Sequence, residues 1–115
     1  MSEHAEHWLN DIRQLVADYA QAKANRVYLE HFRKSKKAML MAEAKAKDPE
    51  EYKSAASQEV YAYRHPEYIE LLEGFREATE TEEFRRWQLK TREWKFEAWR
   101  TEQANNRQEH KRYGN

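Results

Sequence analysis

The chain has 115 residues, with 21 Lys plus Arg against 21 Asp plus Glu, so its formal charge is zero while 37% of it is charged. It carries 2 Gly, 2 Pro and no Cys. These counts exclude a disulfide framework, thiol catalysis and a cysteine zinc site, a glycine-rich phosphate loop, and any run approaching the roughly 18 apolar residues of a membrane span.

Leu, Ile, Val and Phe together number 16, below the roughly 20% at which a chain tends to disorder. Zero net charge, four Trp, seven Tyr and fifteen Ala oppose that tendency, because the aromatics bury large surfaces and alanine favours helix. The start, Met1-Ser2-Glu3-His4-Ala5-Glu6-His7, is acidic and polar, unlike a signal peptide. A cytosolic or host-cytoplasmic setting is expected. The expected object is all-α, charged outside and short of core for a monomer.

The two prolines divide the chain. Asp48-Pro49-Glu50-Glu51 reads as a helix start, with Asp48 as N-cap, Pro49 at the first helical position and acids in the first turn. His65-Pro66-Glu67 reads as a second start, with His65 as a cap residue. One helical domain over 1–115 follows: helix one within 1–47, a short middle helix within 48–64, a long C-terminal helix within 65–110 and a tail at 111–115. The helices themselves are expected at about 3–46, 49–63 and 66–110. At a rise of ~1.5 Å per residue each long helix would reach roughly 65 Å, a length suited to bundles and coiled coils.

Helix one carries a heptad-like row of Trp8, Ile12, Leu15, Tyr19, Ala22, Arg26 and Leu29, read as core. Its later part carries Tyr28, Leu29, Phe32, Met39 and Leu40, read as a second core face. The middle helix holds Tyr52, Ala55, Ala56, Val60 and Tyr63 and is too short to stand alone. It is expected to pack across the join of the long helices. In helix three, at ~100° per residue, Phe84, Trp87, Thr91, Trp94 and Ala98 share one face. Leu89 and Phe96 point the other way, and Trp99 lies between. One antiparallel partner covers only one face, so the remaining aromatic surface is expected to meet another copy. Phe84, Trp87, Leu89, Trp94, Phe96, Ala98 and Trp99 are the candidate oligomerisation residues. The alternative is that the leftover apolar groups are simply solvated.

Charge is segregated behind the zero total. Residues 1–47, 48–66, 67–83 and 85–115 sum to +3, −2, −6 and +5. Residues 23–47 hold eight bases and two acids. Lys23, Arg26, Arg33, Lys34, Lys37 and Lys45 fall in one sector ~120° wide along about 33 Å of helix, with Glu30 inside it. Tyr28, Phe32, Ser35 and Met39 fall opposite. Such a stripe suits a phosphate backbone, which is bound by counterion release without base readout. On pattern alone a solvated face, or a stripe paired in the oligomer with the acidic segment 67–83, ranks ahead of it. Binding to an acidic membrane surface ranks third. From Phe84 to Arg100 aromatics alternate with bases. That pattern can stack single-stranded bases, although the helical spacing favours interface core.

Catalytic chemistry is not visible. His4 and His7 lie three apart near the N-terminus and read as solvated residues rather than metal ligands. No nucleophilic triad or two-carboxylate pair stands out. No enzyme, metal or cofactor is expected.

The segment Arg26-Val27-Tyr28-Leu29-Glu30-His31-Phe32-Arg33-Lys34-Ser35-Lys36-Lys37-Ala38-Met39-Leu40-Met41-Ala42-Glu43-Ala44 resembles the UvsY-type recombination mediator proteins of tailed phages. The likeness lies in an aromatic-bearing turn, then Lys-Lys-x-Met-Leu, then Glu-Ala and further bases. A break, the pair Lys53-Ser54 and a long aromatic C-terminal helix follow. The linker at 47–51 and the aromatics near Trp94 and Trp99 depart from the family pattern. The resemblance implies a homo-oligomer without a catalytic site. It would bind single-stranded DNA and help a RecA-like recombinase replace single-strand-binding protein. It adds Lys36 and Lys47 to Lys37 and Lys45 as DNA contacts, giving Lys23, Arg26, Arg33, Lys34, Lys36, Lys37, Lys45 and Lys47 as the candidate set. The alternative is a structural or scaffolding helical oligomer with no nucleic-acid role. A groove-reading regulator fits poorly, because no short recognition helix follows a tight turn.

Overall fold

The computed structural model describes residues 3–113. They form α1 (Glu3–Lys47), α2 (Ala55–Arg64) and α3 (Pro66–Tyr113), with no strand among the described residues. Two long helices therefore flank a short one, as the proline positions require.

The break before α3 is a single residue. His65 is extended, with φ −66° and ψ 132°, because the ring of a following proline disfavours helical backbone. Its N–H donates to the Ala62 carbonyl at 3.2 Å, and its Nδ1 accepts from the Glu67 N–H at 3.1 Å. His65 thus closes one helix and opens the next, as expected of a cap. α3 runs three residues past its expected end at 110, with Lys111 and Arg112 in the last turn, where cations suit the helix dipole. Residues 114–115 of the expected tail lie outside the described residues.

The middle helix starts later than 49. Asp48 does cap, accepting from the Glu51 N–H at 3.2 Å, and Tyr52 N–H reaches the Asp48 carbonyl at 3.0 Å. Only one turn forms there. Ser54 then makes a second cap, its hydroxyl accepting from the Ser57 N–H at 3.1 Å, and α2 begins at Ala55. Two adjacent cap sequences compete for one start, and Ser54 leads the turns that continue. Tyr52 still packs on α2, its ring 5.2 Å from that of Tyr61.

The helices form two compact units, one from 3–20 with 83–113 and one over Gln21–Glu82. The core of the second unit takes one residue from each helix: Leu40 of α1, 2% exposed, Ala62 of α2 and Tyr68 of α3, with Met41 packed alongside. Ala22 and Ala44 are also buried, and such small side chains let helix backbones approach closely. The first unit pairs the start of α1 with the latter part of α3. Trp8 lies 6.1 Å from Phe96 and 5.6 Å from Trp99, both edge-on, geometries that aromatic pairs favour. His4 packs beside Trp8 and Trp99, at 5.1 and 6.2 Å. Arg92 approaches Asp11 at 3.5 Å.

Every member of the row Trp8, Ile12, Leu15, Tyr19, Ala22, Arg26 and Leu29 is buried or half-buried, so that row is the inward face of α1. The second expected core face divides. Leu29, Phe32 and Leu40 turn at least partly inward, while Tyr28 and Met39 are 64% and 58% exposed.

Candidate nucleic-acid interface

The inward row of α1 continues beyond Leu29 through positions that carry charge. On the helical wheel Ala22, Leu40 and Ala44 mark the buried side, and Arg26, Arg33, Lys36 and Lys37 fall within about 60° of it. All four are half-buried. Long basic side chains occupy such positions by laying their stems on apolar surface and carrying the charge to the rim. Much of the stripe expected to face solvent is therefore turned toward α2 and α3.

Each inward charge finds a partner. Arg26, 24% exposed, places Nε 2.6 Å from Glu82 and Nη1 2.7 Å from Glu30. The two-pronged contact with Glu82 includes a second bond from Nη2 at 3.2 Å, the fork geometry that makes arginine–carboxylate pairs strong. Glu82 first, and Glu30 after it, hold the Arg26 guanidinium further above its ordinary range. Lys36 donates to Glu67 at 2.7 Å, which pulls the Glu67 carboxyl below its ordinary value, with the His65 charge adding to the effect. Lys37 lies 3.1 Å from Glu59 and 4.9 Å from the centre of the Tyr63 ring. Hydrogen bonding to Tyr63, then to Glu59, raises its pKa. Arg33 sits 5.3 Å over the ring of Phe75, and Lys47 sits 5.9 Å from that of Tyr61.

The acidic segment thus reaches the stripe through Glu67 and Glu82, its two flanks. Glu70, Glu73 and Glu77 are exposed and do not contact it. Glu59, Tyr63 and Phe75 take part without having been expected. Their signal was the presence of Arg26 in an otherwise apolar row: a base on the inward face needs a partner on the facing helix.

Three of the eight candidate bases remain. Lys23, Lys34 and Lys45 are exposed and make no ion pair or hydrogen bond among the described residues. They stand at positions i, i+11 and i+22. Eleven residues make just over three turns, so the three lie in one line, roughly 16 Å apart, drifting ~20° per step. Lys47 is exposed at the same end of α1.

The C-terminal aromatics separate into the two faces read from the spacing. Phe96 and Trp99 are half-buried against Trp8, and Leu89 is half-buried too. These three expected oligomerisation residues belong to the face used within the chain. Phe84, Trp87 and Trp94 are exposed, Trp94 to 59%, and Ala98 is exposed beside them. Trp87 and Trp94 meet edge to face with centres 6.0 Å apart. Arg85 lies 5.8 Å from the Phe84 ring, and Arg86 and Lys90 lie 5.5 and 4.9 Å from that of Trp87, while Trp87 Nε1 donates to Glu83 at 3.1 Å and Glu83 pairs with Arg86 at 3.1 Å. Phe84, Trp87, Thr91 and Lys95 also edge an open groove of about 330 Å³.

The site offers fixed positive charge and aromatic surface. His7 lies by Asp11 at 3.6 Å, and His65 by Glu43 at 3.8 Å; each is a pairwise contact. No helix of the described residues is long and apolar enough to cross a membrane. No family model, curated protein or solved structure matches this chain.

Proposed function

We propose that this chain is a non-catalytic, homo-oligomeric protein that grips single-stranded DNA by its phosphates. In that role it serves as a recombination mediator of the UvsY type, helping a RecA-like recombinase replace single-strand-binding protein. The observation that carries the reading is the line of Lys23, Lys34 and Lys45, exposed and unpaired along α1. The other five candidate bases hold acids or aromatic rings of the same chain, so the electrostatic contact rests on these three, with Lys47 beside them. Three lysines give a modest, sequence-blind grip. Several copies on one scaffold multiply it, because each later contact is effectively intramolecular.

A second reading, a structural or scaffolding oligomer without nucleic acid, draws support from the Arg26–Glu82 and Lys36–Glu67 pairs, which spend part of the stripe on folding. A fluorescence anisotropy titration with a single-stranded oligonucleotide at several salt concentrations separates the two. The mediator reading expects binding that weakens steeply with salt. Changing Lys23, Lys34 and Lys45 together to Ala should lower the slope of log affinity against log salt by about 2 per copy engaged, at ~0.7 per phosphate contact, with helix content and mass unchanged. Absence of binding at low salt, or binding indifferent to salt, supports the scaffold and removes the mediator.

A further inference from the structure

Of the surfaces that keep large apolar groups in solvent, two on α3 are bordered by charges of mainly opposite sign. In the Gln21–Glu82 unit, Ile69 and Leu72 of α3 are exposed. Glu70, Glu73, Glu77 and Glu80 are exposed with them, and all six side chains fall in one sector about 160° wide. Among the described residues Glu73 alone of these acids has a partner, a loose 3.6 Å approach to Arg76. In the other unit Phe84, Trp87 and Trp94 are exposed, with Arg85, Arg86 and Lys90 against their rings and Lys95 unpaired among the described residues. One acid, Glu83, lies among them, 3.1 Å from Arg86 and accepting from Trp87 Nε1 at 3.1 Å, so the bases outnumber it.

We propose that the cationic aromatic face around Trp87 and Trp94 docks on the acidic apolar patch around Ile69 and Glu73 of a second copy of this chain. The inference rests on the assembly in the reading above and names the surface that meets each aromatic face. Tryptophan is costly to leave exposed and is enriched at the buried centre of interfaces. Opposite charge around the two patches sets their register and disfavours like-on-like contact. One contact covers both orphan surfaces. Stacked nucleobases would cover only the aromatic one, and Arg86 and Lys90 already lie against the Trp87 ring where a base would stack. Because each copy carries both patches, the contact closes by reciprocal exchange in a twofold pair or by head-to-tail repetition in a ring.

Charge reversal with rescue tests the docking. One variant carries Lys90→Glu and Lys95→Glu, the other Glu73→Lys and Glu77→Lys, and circular dichroism confirms that each folds. Light scattering at micromolar concentration and low salt should find the parent assembled. Each variant alone should associate on the order of tenfold more weakly or worse, and an equimolar mixture should regain the parent mass. A parent that assembles but ignores both reversals, or variants whose mixture gives no rescue, overturns the docking and leaves the assembly standing. A monomeric parent overturns both. Lys90→Glu/Lys95→Glu protein of unchanged mass that loses oligonucleotide affinity makes the aromatic face a base-stacking site and also overturns the docking.

Discussion

At the scale of single residues, the surprising positions are Arg26, Arg33, Lys36 and Lys37, bases on the inward side of a helix in a chain short of core. They serve as core substitutes. Their stems cover apolar surface, and their heads meet Glu82, Phe75, Glu67, Glu59 and Tyr63. Such pairs add little each, yet truncating one partner leaves the other half-buried charge unmatched. The Lys36–Glu67 pair has a testable pH signature. Glu67 titrates lower in the folded chain than its ordinary 4.5, so the folded state favours its ionised form. The stabilisation is complete above that ordinary value and fades as pH falls through the depressed one. Thermal unfolding of the parent against Glu67→Gln should give a small advantage to the parent above about pH 4.5 that closes below it. An advantage that survives unchanged into strong acid contradicts the pair as its source.

At the scale of elements, neighbouring side chains on α1 meet opposite fates. Leu40 joins Ala62 and Tyr68 in the core while Met39 stays in solvent. Leu40→Ala should cost about 2–4 kcal/mol in urea unfolding, through lost burial and the cavity left. Met39→Ala should change stability by less than about 0.5 kcal/mol. Equal costs for the two would mean that the inward face of α1 has been misplaced. Which elements form was legible in the sequence: Pro49 and Pro66 mark the breaks, His65 caps, and the row from Trp8 to Leu29 is the packed face. Where α2 begins was not, because Asp48 and Ser54 are both competent caps and only tertiary contacts choose between them. The orientation of the basic stripe was half legible. Wheel positions gave its sector, but counting lysine and arginine as solvent-facing hid the overlap between that sector and the line of Ala22, Leu40 and Ala44. The continuation of the row through Arg26 was the clue. That α3 carries two aromatic faces followed from spacing, because a single partner helix covers one side; which face packs within the chain did not, and Leu89, Phe96 and Trp99 turn out to lie on it.

At the scale of the whole molecule, zero net charge conceals a division of labour. Some charges hold the helices together, Lys23, Lys34 and Lys45 stay available in a line, and the exposed faces of α3 carry opposite signs beside apolar groups. In the proposed function a lone copy presents too few available lysines for a firm hold on a polyanion, so that proposal ties binding to assembly: copies that gather would also gather their lysine lines. Native mass determination with and without a single-stranded oligonucleotide addresses that link most directly. The account expects a multiple of 14.0 kDa at micromolar concentration that takes up the oligonucleotide as an intact assembly. A 14.0 kDa species whose mass does not change when the oligonucleotide is added would contradict it.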